Sequence, residues 1–211
     1  AGRIFKALAF DSPGLLYLGG NFANWNADPA SDNIVTYDGT TWTPLLISSV
    51  IIEDIVILSD TKVLLGGGTS ASLSALRFYD GTSTATAVFV VDATVVVNAL
   101  AFTSRGDVFI ASNEAAVTGA VAGSSTNKLG KLTGLALWPL GPSTNYGVSG
   151  GDATGVKVLD NNTVLFGGPF TSAGGITTAG SLVLWQGTMF EPLDLNGQPG
   201  NSNLTTELGY A

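Results

Sequence analysis

The sequence has no cysteine and no histidine, and these absences remove much of the usual chemistry of protein sites. Without cysteine the chain cannot form disulfides, use a thiolate nucleophile or bind zinc through thiolates. Without histidine it lacks the side chain that serves most often as general base and metal ligand. Most hydrolase and metalloenzyme mechanisms are therefore excluded, whereas chemistry based on carboxylates stays open.

Charged residues are also scarce, at 11% of the chain, and 8 Lys and Arg against 16 Asp and Glu give a net charge of −8. A chain with so few cations can neutralise few phosphates, which argues against nucleic acid and anionic membranes as partners. The uncharged run 161–190 is interrupted by glycine and proline. It therefore lacks the roughly 20 predominantly apolar residues of a membrane-spanning helix.

Apolar residues are abundant, at 45% of the chain, and they recur in four repeats. Each repeat begins with an apolar strand and a tight polar turn, followed by a second strand that ends on small residues. Third and fourth strands, joined by a two-residue turn, complete the repeat. No segment shows a sustained helical period. The repeats occupy about 3–48, 49–93, 94–150 and 151–195.

The small residues that end each second strand are Gly19, Gly66, Ala111 and Gly167, which are 47, 45 and 56 residues apart. Four short strands in each repeat of this length are typical of a β-propeller blade. The sequence therefore predicts an all-β protein, a β-propeller of four repeats with four antiparallel strands each. We attribute the paired glycines to backbone crowding or a β-bulge rather than to a ligand.

The first repeat contains a sequence pattern that continues through its third and fourth strands: Gly19-Gly20, Phe22, Asn33-Ile34, Tyr37-Asp38-Gly39, Trp42 and Pro44-Leu45. This pattern resembles the kelch-like repeats of Rax2-type cortical marker proteins and of related bacterial and phage surface proteins. The fourth repeat keeps most of it, and the third is degenerate, with Ala111-Ser112 in place of Gly-Gly. The resemblance implies an extracellular β-propeller that supports or binds another molecule, with no catalytic residues to carry over.

A second pattern, Thr36–Trp42, approaches the Asp-box of sialidase-type propellers, but its Asp and Gly are adjacent, one residue short of that motif. A sialidase also needs a clustered arginine triad, and the only arginines here are Arg3, Arg77 and Arg105. Because Arg105 falls in a predicted hairpin turn, a convergent triad is not expected.

The acidic residues are predicted to have structural rather than catalytic roles. An Asp side chain in a turn accepts hydrogen bonds from nearby backbone amides. Six aspartates fall in predicted turns: Asp11, Asp38, Asp60, Asp80, Asp107 and Asp160. Glu53 and Asp54 are adjacent in a predicted strand and should point to opposite faces. The chain is therefore predicted not to be an enzyme and to use no cofactor.

Two further patterns are interpreted as turns. Asp28 and Asp32 share a loop with oxygen ligands suited to calcium, but no D-x-[DN]-x-[DN]-G loop is present, so no metal site is predicted. Arg105-Gly106-Asp107 matches the tripeptide that integrins read. The same place in the other repeats is an ordinary hairpin turn, which favours the same interpretation here.

The candidate binding residues are Asn24, Trp25 and Asn26, in the predicted loop 23–33. An aromatic ring between two amides suits stacking on a sugar ring or anchoring a protein partner. The alternative is that Trp25 folds back over the sheet. Asn161 and Asn203 begin Asn-x-Thr sequons in a predicted turn and linker, which makes them glycosylation candidates.

Residues 196–211 are predicted to be a linker followed by a strand like the opening of the first repeat. This favours four blades of a larger propeller over a closed four-blade ring with an extra strand. The function predicted is a non-catalytic extracellular structural or interaction module of a larger cell-surface or filamentous assembly, with protein partners or copies of itself. The alternatives are a phage virion or tail component and a carbohydrate-binding propeller that recognises a host surface.

Overall fold

The structure is a computed structural model of the chain. It describes residues 4–27, 32–45, 50–59, 62–69, 76–80, 86–87, 95–113, 127–134, 136–177 and 181–193. These residues are almost entirely strand and turn, with one short 3₁₀ segment at Trp25–Ala27. Within the described ranges, no helix has the length and hydropathy needed to cross a membrane.

Four sheets of four strands follow one another along the chain. Sheet 1 contains β1 (Ile4–Phe10), β2 (Leu16–Asn21), β3 (Ile34–Tyr37) and β4 (Trp42–Pro44). Sheet 2 contains β5 (Val50–Ser59), β6 (Lys62–Thr69), β7 (Leu76–Tyr79) and β8 (Thr86–Ala87). Sheet 3 contains β9 (Val97–Phe102), β10 (Asp107–Ser112), β11 (Leu129–Thr133) and β12 (Ala136–Pro139), and β13 (Val148–Ser149) follows it. Sheet 4 contains β14 (Gly155–Val158) and β15 (Thr163–Gly167), then β18 (Leu182–Gln186) and β19 (Phe190–Pro192).

Each predicted repeat therefore contains a sheet whose strands are hydrogen-bonded in chain order, and the all-β prediction is confirmed. The segment 172–177, between β15 and β18, adds strands that the sequence did not predict. It contains β16 (Ser172–Ala173) and β17 (Ile176–Thr177), which form a small hairpin. β16 also pairs with β13, so these three short strands make a further sheet. Strands of two residues carry too little apolar pattern to be read from sequence.

The chain divides into two compact units, 1–97 and 98–211. Sheets 1 and 2 belong to the first unit. Sheet 4 and all of sheet 3 except Val97 belong to the second. Each unit has its own buried core.

The first strand of sheet 1 contains a β-bulge at Lys6. Phe5 pairs with Gly20, whereas Ala7, two residues later, pairs with Gly19. Lys6 is therefore the extra residue. Because paired residues share a face and neighbours along a strand alternate, the bulge moves Phe5 to the face opposite Ala7.

Sheet 1 thus has two different faces. One, which we call the Ala7 face, carries small side chains on β1 (Ala7 and Ala9) with Tyr17 beside them. The other, the Leu8 face, carries large apolar and aromatic side chains: Phe5, Leu8, Phe10, Leu16, Leu18, Tyr37 and Trp42.

Sheet 2 packs on the Ala7 face, and β5 lies against β1 and β2. Ile52 and Ile55 are buried there with Ala7 and Tyr17, and Ile57 packs at the edge of the same core. Burial, together with the nearby Asp11 carboxylate and Tyr79, raises the pKa of Tyr17 to about 12. The phenol, neutral at physiological pH even at its ordinary pKa of 10.0, is thus made still harder to ionise in this core.

β5 contains a bulge in the same place as β1. Ile52 pairs with Gly67 and Asp54 with Gly66, so Glu53 is the extra residue. The prediction that Glu53 and Asp54 alternate between faces assumed a regular strand, and the bulge interrupts that regularity.

In sheets 1 and 2, the second glycine of the pair is explained by these bulges. A Cβ at Gly20 would collide with the Ile4 carbonyl oxygen, and one at Gly67 would collide with that of Ile51. The first glycine is required for a different reason. A Cβ at Gly19 would lie 2.6 Å from Ile52 Cγ2 in sheet 2, which is too close for a side chain. At these two pairs the structure agrees with the interpretation as backbone crowding or a β-bulge, and sheet packing is a second cause.

The second unit repeats this arrangement. Val156 is buried in one core with Ala99 and Phe109 of sheet 3, and Val158 and Ala101 pack at the edge of that core. β14 lies against β10. In both units, branched side chains of one first strand thus share a core with small side chains of the preceding first strand.

Candidate functional site

Five aromatic rings form a cluster in the first unit, which we call the aromatic cluster: Phe5, Phe22, Trp25, Tyr37 and Trp42. The Trp25 ring lies edge-on, 5.0 Å from the ring of Trp42 and 5.3 Å from that of Phe5. Trp42 stacks on Tyr37 at 4.6 Å. Because Phe5 and Trp42 belong to the two edge strands of sheet 1, Trp25 bridges the sheet across its Leu8 face.

The loop that carries Trp25 is held at its base by two polar side chains. The Asn33 side chain accepts a hydrogen bond from the Phe22 amide at 3.2 Å, and the Asp32 carboxylate accepts one from the Asn24 amide at 3.0 Å. The Asn33 amide also donates to the Phe22 carbonyl at 2.9 Å. These contacts join the two ends of the loop and limit the positions that the indole can take.

The backbone on both sides of Trp25 is left-handed, with φ of 52° at Asn24 and 53° at Asn26. Asparagine tolerates this conformation better than other residues with a side chain. Both asparagines are exposed, whereas Trp25 is half-buried. The asparagines thus hold the tight loop that folds the indole inward and leave their own amides on the surface.

The structure therefore agrees with the alternative given in the sequence analysis, in which Trp25 folds back over the sheet. Asn24 and Asn26 lie beside it, together with Phe5, which is 46% exposed. The sequence analysis did not include Phe5, Tyr37 or Trp42 in this site. Phe5 lies at this site only because of the bulge at Lys6, and no residue pattern in the sequence predicts that bulge. The arrangement offers amide donors and acceptors next to an aromatic edge, which suits binding rather than bond cleavage.

Asp38 and Asp160 have the structural role predicted for the turn aspartates, whereas Asp60 lies outside the described residues. Asp38 accepts hydrogen bonds from the amides of Thr41 at 2.7 Å and Thr40 at 2.8 Å. These bonds hold the pKa of the Asp38 carboxyl below its ordinary value. The amides of Asn162 and Thr163 donate hydrogen bonds to Asp160 in the same way and lower its pKa.

The Arg-Gly-Asp sequence forms a turn whose carboxylate is engaged within sheet 3. Asp107 contacts Lys131 at 2.8 Å and accepts a hydrogen bond from the Thr133 hydroxyl at 2.7 Å. Burial alone would raise the pKa of Asp107, but these two partners lower it below its ordinary value. Arg105 donates to the Asn162 side chain of the neighbouring turn at 3.2 Å. Because both of its charged groups have partners within the unit, the turn interpretation is supported.

The remaining predicted residues are dispersed. Asn161 lies in the turn between β14 and β15, where its side-chain oxygen accepts a hydrogen bond from the Ser104 hydroxyl at 2.7 Å. Asn203 and Asp28 lie outside the described residues. Asp32 accepts the hydrogen bond from the Asn24 amide at the base of the Trp25 loop. In the described part of the chain, acidic residues form no group of three that could hold a metal ion.

Comparisons with known proteins relate the chain to solved structures only. No protein-family model matches it, and no curated protein does. One similar structure is the extracellular domain of a Bacteroides thetaiotaomicron protein described as a one-component system, at 10% identity, TM-score 0.54 and 86% of this chain. A second structure is the extracellular domain of a protein from the same organism that is described as a hybrid two-component system. It matches at 11% identity with a TM-score of 0.54 and covers 86% of this chain. A GH74 enzyme of Niastella koreensis gives 14% identity, TM-score 0.56 and 88% coverage.

These likenesses concern the fold, since the identities are far too low to transfer an activity. This chain spans 21% of the length of the two extracellular domains and 29% of the length of the GH74 enzyme. The likeness in fold is therefore to parts of longer chains.

Proposed function

We propose that the chain is part of an extracellular β-propeller that serves as a non-catalytic interaction module in a cell-surface or filamentous assembly. The four sheets are its blades. The observation that carries the proposal is the surface at the aromatic cluster, where two exposed amides are fixed beside a packed indole. A preorganised surface of this kind loses little conformational entropy on binding.

Two further considerations support this proposal. The kelch-like pattern of the first repeat resembles extracellular proteins, and two of the similar structures are extracellular domains. The carboxylates of Asp38 and Asp107 are engaged in a turn and in a sheet contact, and these contacts lower their pKa values. Such carboxylates are poorly suited to general acid or base roles, which need a group whose pKa lies near the working pH.

The location is tested by labelling intact cells that make the native protein with an antibody raised against this chain. We expect labelling without permeabilisation, and removal of the epitope by a protease added outside the cell. Labelling that occurs only after lysis would show that the module is not extracellular. An intracellular enzyme kept intact by the same protease is the control for cell integrity.

A second candidate function, saccharide binding, is favoured by the exposed amides of Asn24 and Asn26 next to an aromatic edge. It is tested on a glycan array with the wild type and the variant Asn26→Gly. Glycine keeps the left-handed backbone but removes the amide, so the loop should keep its shape while binding weakens. Asn145→Ala, which removes an exposed amide of the second unit, is the matched control. Equal binding by wild type and Asn26→Gly would exclude this loop as a sugar site.

A further inference from the structure

The fourth strands of sheets 1, 3 and 4 each end on a proline at the same place in the ladder. The three pairs are Pro44 with Val35, Pro139 with Gly130 and Pro192 with Val183. In every case the partner is the second residue of the third strand. Sheet 2 differs, since the second residue of its third strand, Arg77, pairs with Ala87. The shared register of the prolines indicates a common role in three of the four sheets.

In sheet 1 the nitrogen of this proline points away from the third strand. The Leu45 amide donates to the Ile34 carbonyl at 3.3 Å. This bond lies directly beside the Val35–Pro44 pair, which is therefore a non-hydrogen-bonded pair of the antiparallel ladder. The two residues of such a pair direct their own backbone groups away from each other. The N–H that Pro44 lacks is thus one that would point away from the sheet.

Sheet 4 has the same geometry. The Gln186 amide donates to the Met189 carbonyl at 2.9 Å, which makes these two residues a hydrogen-bonded pair. Hydrogen-bonded and non-hydrogen-bonded pairs alternate along an antiparallel ladder. Pro192 pairs with the residue three places before Gln186 and therefore belongs to a non-hydrogen-bonded pair. In sheet 3, Pro139 has the same register, and a proline cannot supply the N–H that a hydrogen-bonded pair needs.

These prolines lie on edge strands. Among the described residues, no strand is hydrogen-bonded to the far side of β4, β12 or β19. The backbone groups on that side are the ones with which a strand of another chain can pair. On each of these strands two residues, two places apart, direct their backbone groups there, and the second is the proline. Since proline has no N–H, each strand keeps a single donor on that side, which belongs to Trp42, Leu137 or Phe190.

The leucine after the proline has the opposite orientation. Leu45 and Leu140 are 5% and 2% exposed and belong to the cores of their units. A proline at position 45 would remove the hydrogen bond to Ile34, whereas at position 44 it removes only a donor that points away from the sheet. In sheets 1 and 3 the Pro-Leu sequence thus places a residue without a donor at the edge and a buried side chain directly after it.

We propose that Pro44, Pro139 and Pro192 close the fourth-strand edges of sheets 1, 3 and 4 to strand addition. Another copy of the chain, or a partner, then meets these sheets through side chains and loops and not through backbone hydrogen bonds at those edges. Sheet 2 is excepted, because Ala87 keeps its N–H. This role follows from strand register, and it is independent of where the protein is located and of what the Trp25 loop binds.

The test compares two triple variants of the full chain with the wild type by sedimentation velocity. The edge variant carries Pro44→Thr, Pro139→Thr and Pro192→Thr. Threonine restores the N–H and favours strand structure. The loop variant, which replaces three exposed prolines outside the strands, carries Pro13→Thr, Pro142→Thr and Pro169→Thr. Each variant loses three prolines, so the effect of proline on the unfolded chain is matched between them.

We expect the edge variant to form larger species than the wild type and the loop variant at the same concentration. Its melting temperature should stay close to that of the loop variant, because the restored N–H groups replace no bond within the sheets. Deuterium exchange then identifies the contact. The new amides at positions 44, 139 and 192 should exchange more slowly in the associated form than in the monomer, since they donate to a second strand.

Two results would overturn the proposal. One is an edge variant with the same mass as the wild type at every concentration, which would mean that the prolines only end their strands. The other is an associated edge variant whose new amides exchange as fast as in the monomer. Pro192→Thr alone, at an exposed residue, is compared with Pro142→Thr in the same way, so that the test does not depend on the folding of a triple variant.

Discussion

The Lys6 ammonium lies 2.6 Å and 2.7 Å from the two carboxylate oxygens of Glu53. These are the bulge residues of β1 and β5, so equivalent positions of two successive repeats bind each other. The second unit has a neutral counterpart. Asn98, which precedes ALAF as Lys6 does, donates from its side chain to the Ala153 carbonyl at 2.7 Å. A bulge directs its extra residue away from the regular alternation of the strand, and here that residue joins two sheets.

The ion pair predicts a measurable coupling between the two sheets. Lys6→Met and Glu53→Gln should each lower the free energy of unfolding by about 1 kcal/mol, because the pair is only partly shielded from water. The double variant should lose less than the sum of the two single losses. Urea unfolding of the four proteins gives the comparison, and Lys62→Met, at the exposed first residue of β6, is the control. Strictly additive losses would mean that the contact contributes nothing to stability.

The close approach of Gly19 to Ile52 predicts a steric coupling. Gly19→Ala should destabilise the chain by about 1–3 kcal/mol, because the added methyl group overpacks the interface between sheets 1 and 2. The cost should be smaller when Ile52→Ala has already made room for it. Thermal unfolding of the two single variants and the double variant measures this. If Gly19→Ala costs as much in the Ile52→Ala background as in the wild type, the contact with Ile52 is not its cause.

Asp107 predicts a pH dependence of stability. Its pKa in the folded protein is below the ordinary value of about 3.9, so its contribution is present above that value and is lost as the pH falls through the folded-state pKa. Asp107→Asn should therefore cost about 1 kcal/mol at neutral pH, and progressively less below about pH 4. Urea unfolding between neutral pH and pH 3 measures the difference. When Lys131→Met is present in both proteins, the stability difference caused by Asp107→Asn should depend less on pH. The reason is that Lys131 helps to lower the pKa of Asp107.

The position of Trp25 predicts both a stability loss and an optical signal. Trp25→Ala removes ring contacts with Phe5, Phe22 and Trp42 and should cost about 2 kcal/mol. The near-ultraviolet circular dichroism should also decrease, because Trp25 and Trp42 lie 5.0 Å apart in a fixed orientation. Trp138→Ala is the control, as that indole is 49% exposed. A near-ultraviolet spectrum that changes no more in Trp25→Ala than in Trp138→Ala would mean that Trp25 is not held against the sheet.

The strands of the four repeats could be predicted because each is encoded locally. The strand β1 and the turn after it follow from an apolar run and from Asp11, whose side chain bonds the Leu15 amide at 2.7 Å. The same local chemistry explains Asp38 and Asp160. The short strands β16 and β17 could not be predicted, because two residues carry no period and pairing with β13 stabilises them.

The candidate site was only partly predictable for a related reason. Asn24, Trp25 and Asn26 are adjacent in sequence, so their combination is visible there. Their position over the Leu8 face depends on Phe5 and Trp42, which lie at opposite edges of sheet 1.

The amino-acid sequence alone thus determines the all-β class, the four repeats and the turns, since apolar alternation and turn residues act over a few neighbours. Tertiary structure decides which residues meet between strands, loops and sheets: Lys6 and Glu53, Gly19 and Ile52, Phe5 and Trp25. The physical reason is the bulge. One extra residue reverses the faces of every residue before it in the strand, and its presence depends on pairing with a second strand rather than on the strand's own sequence.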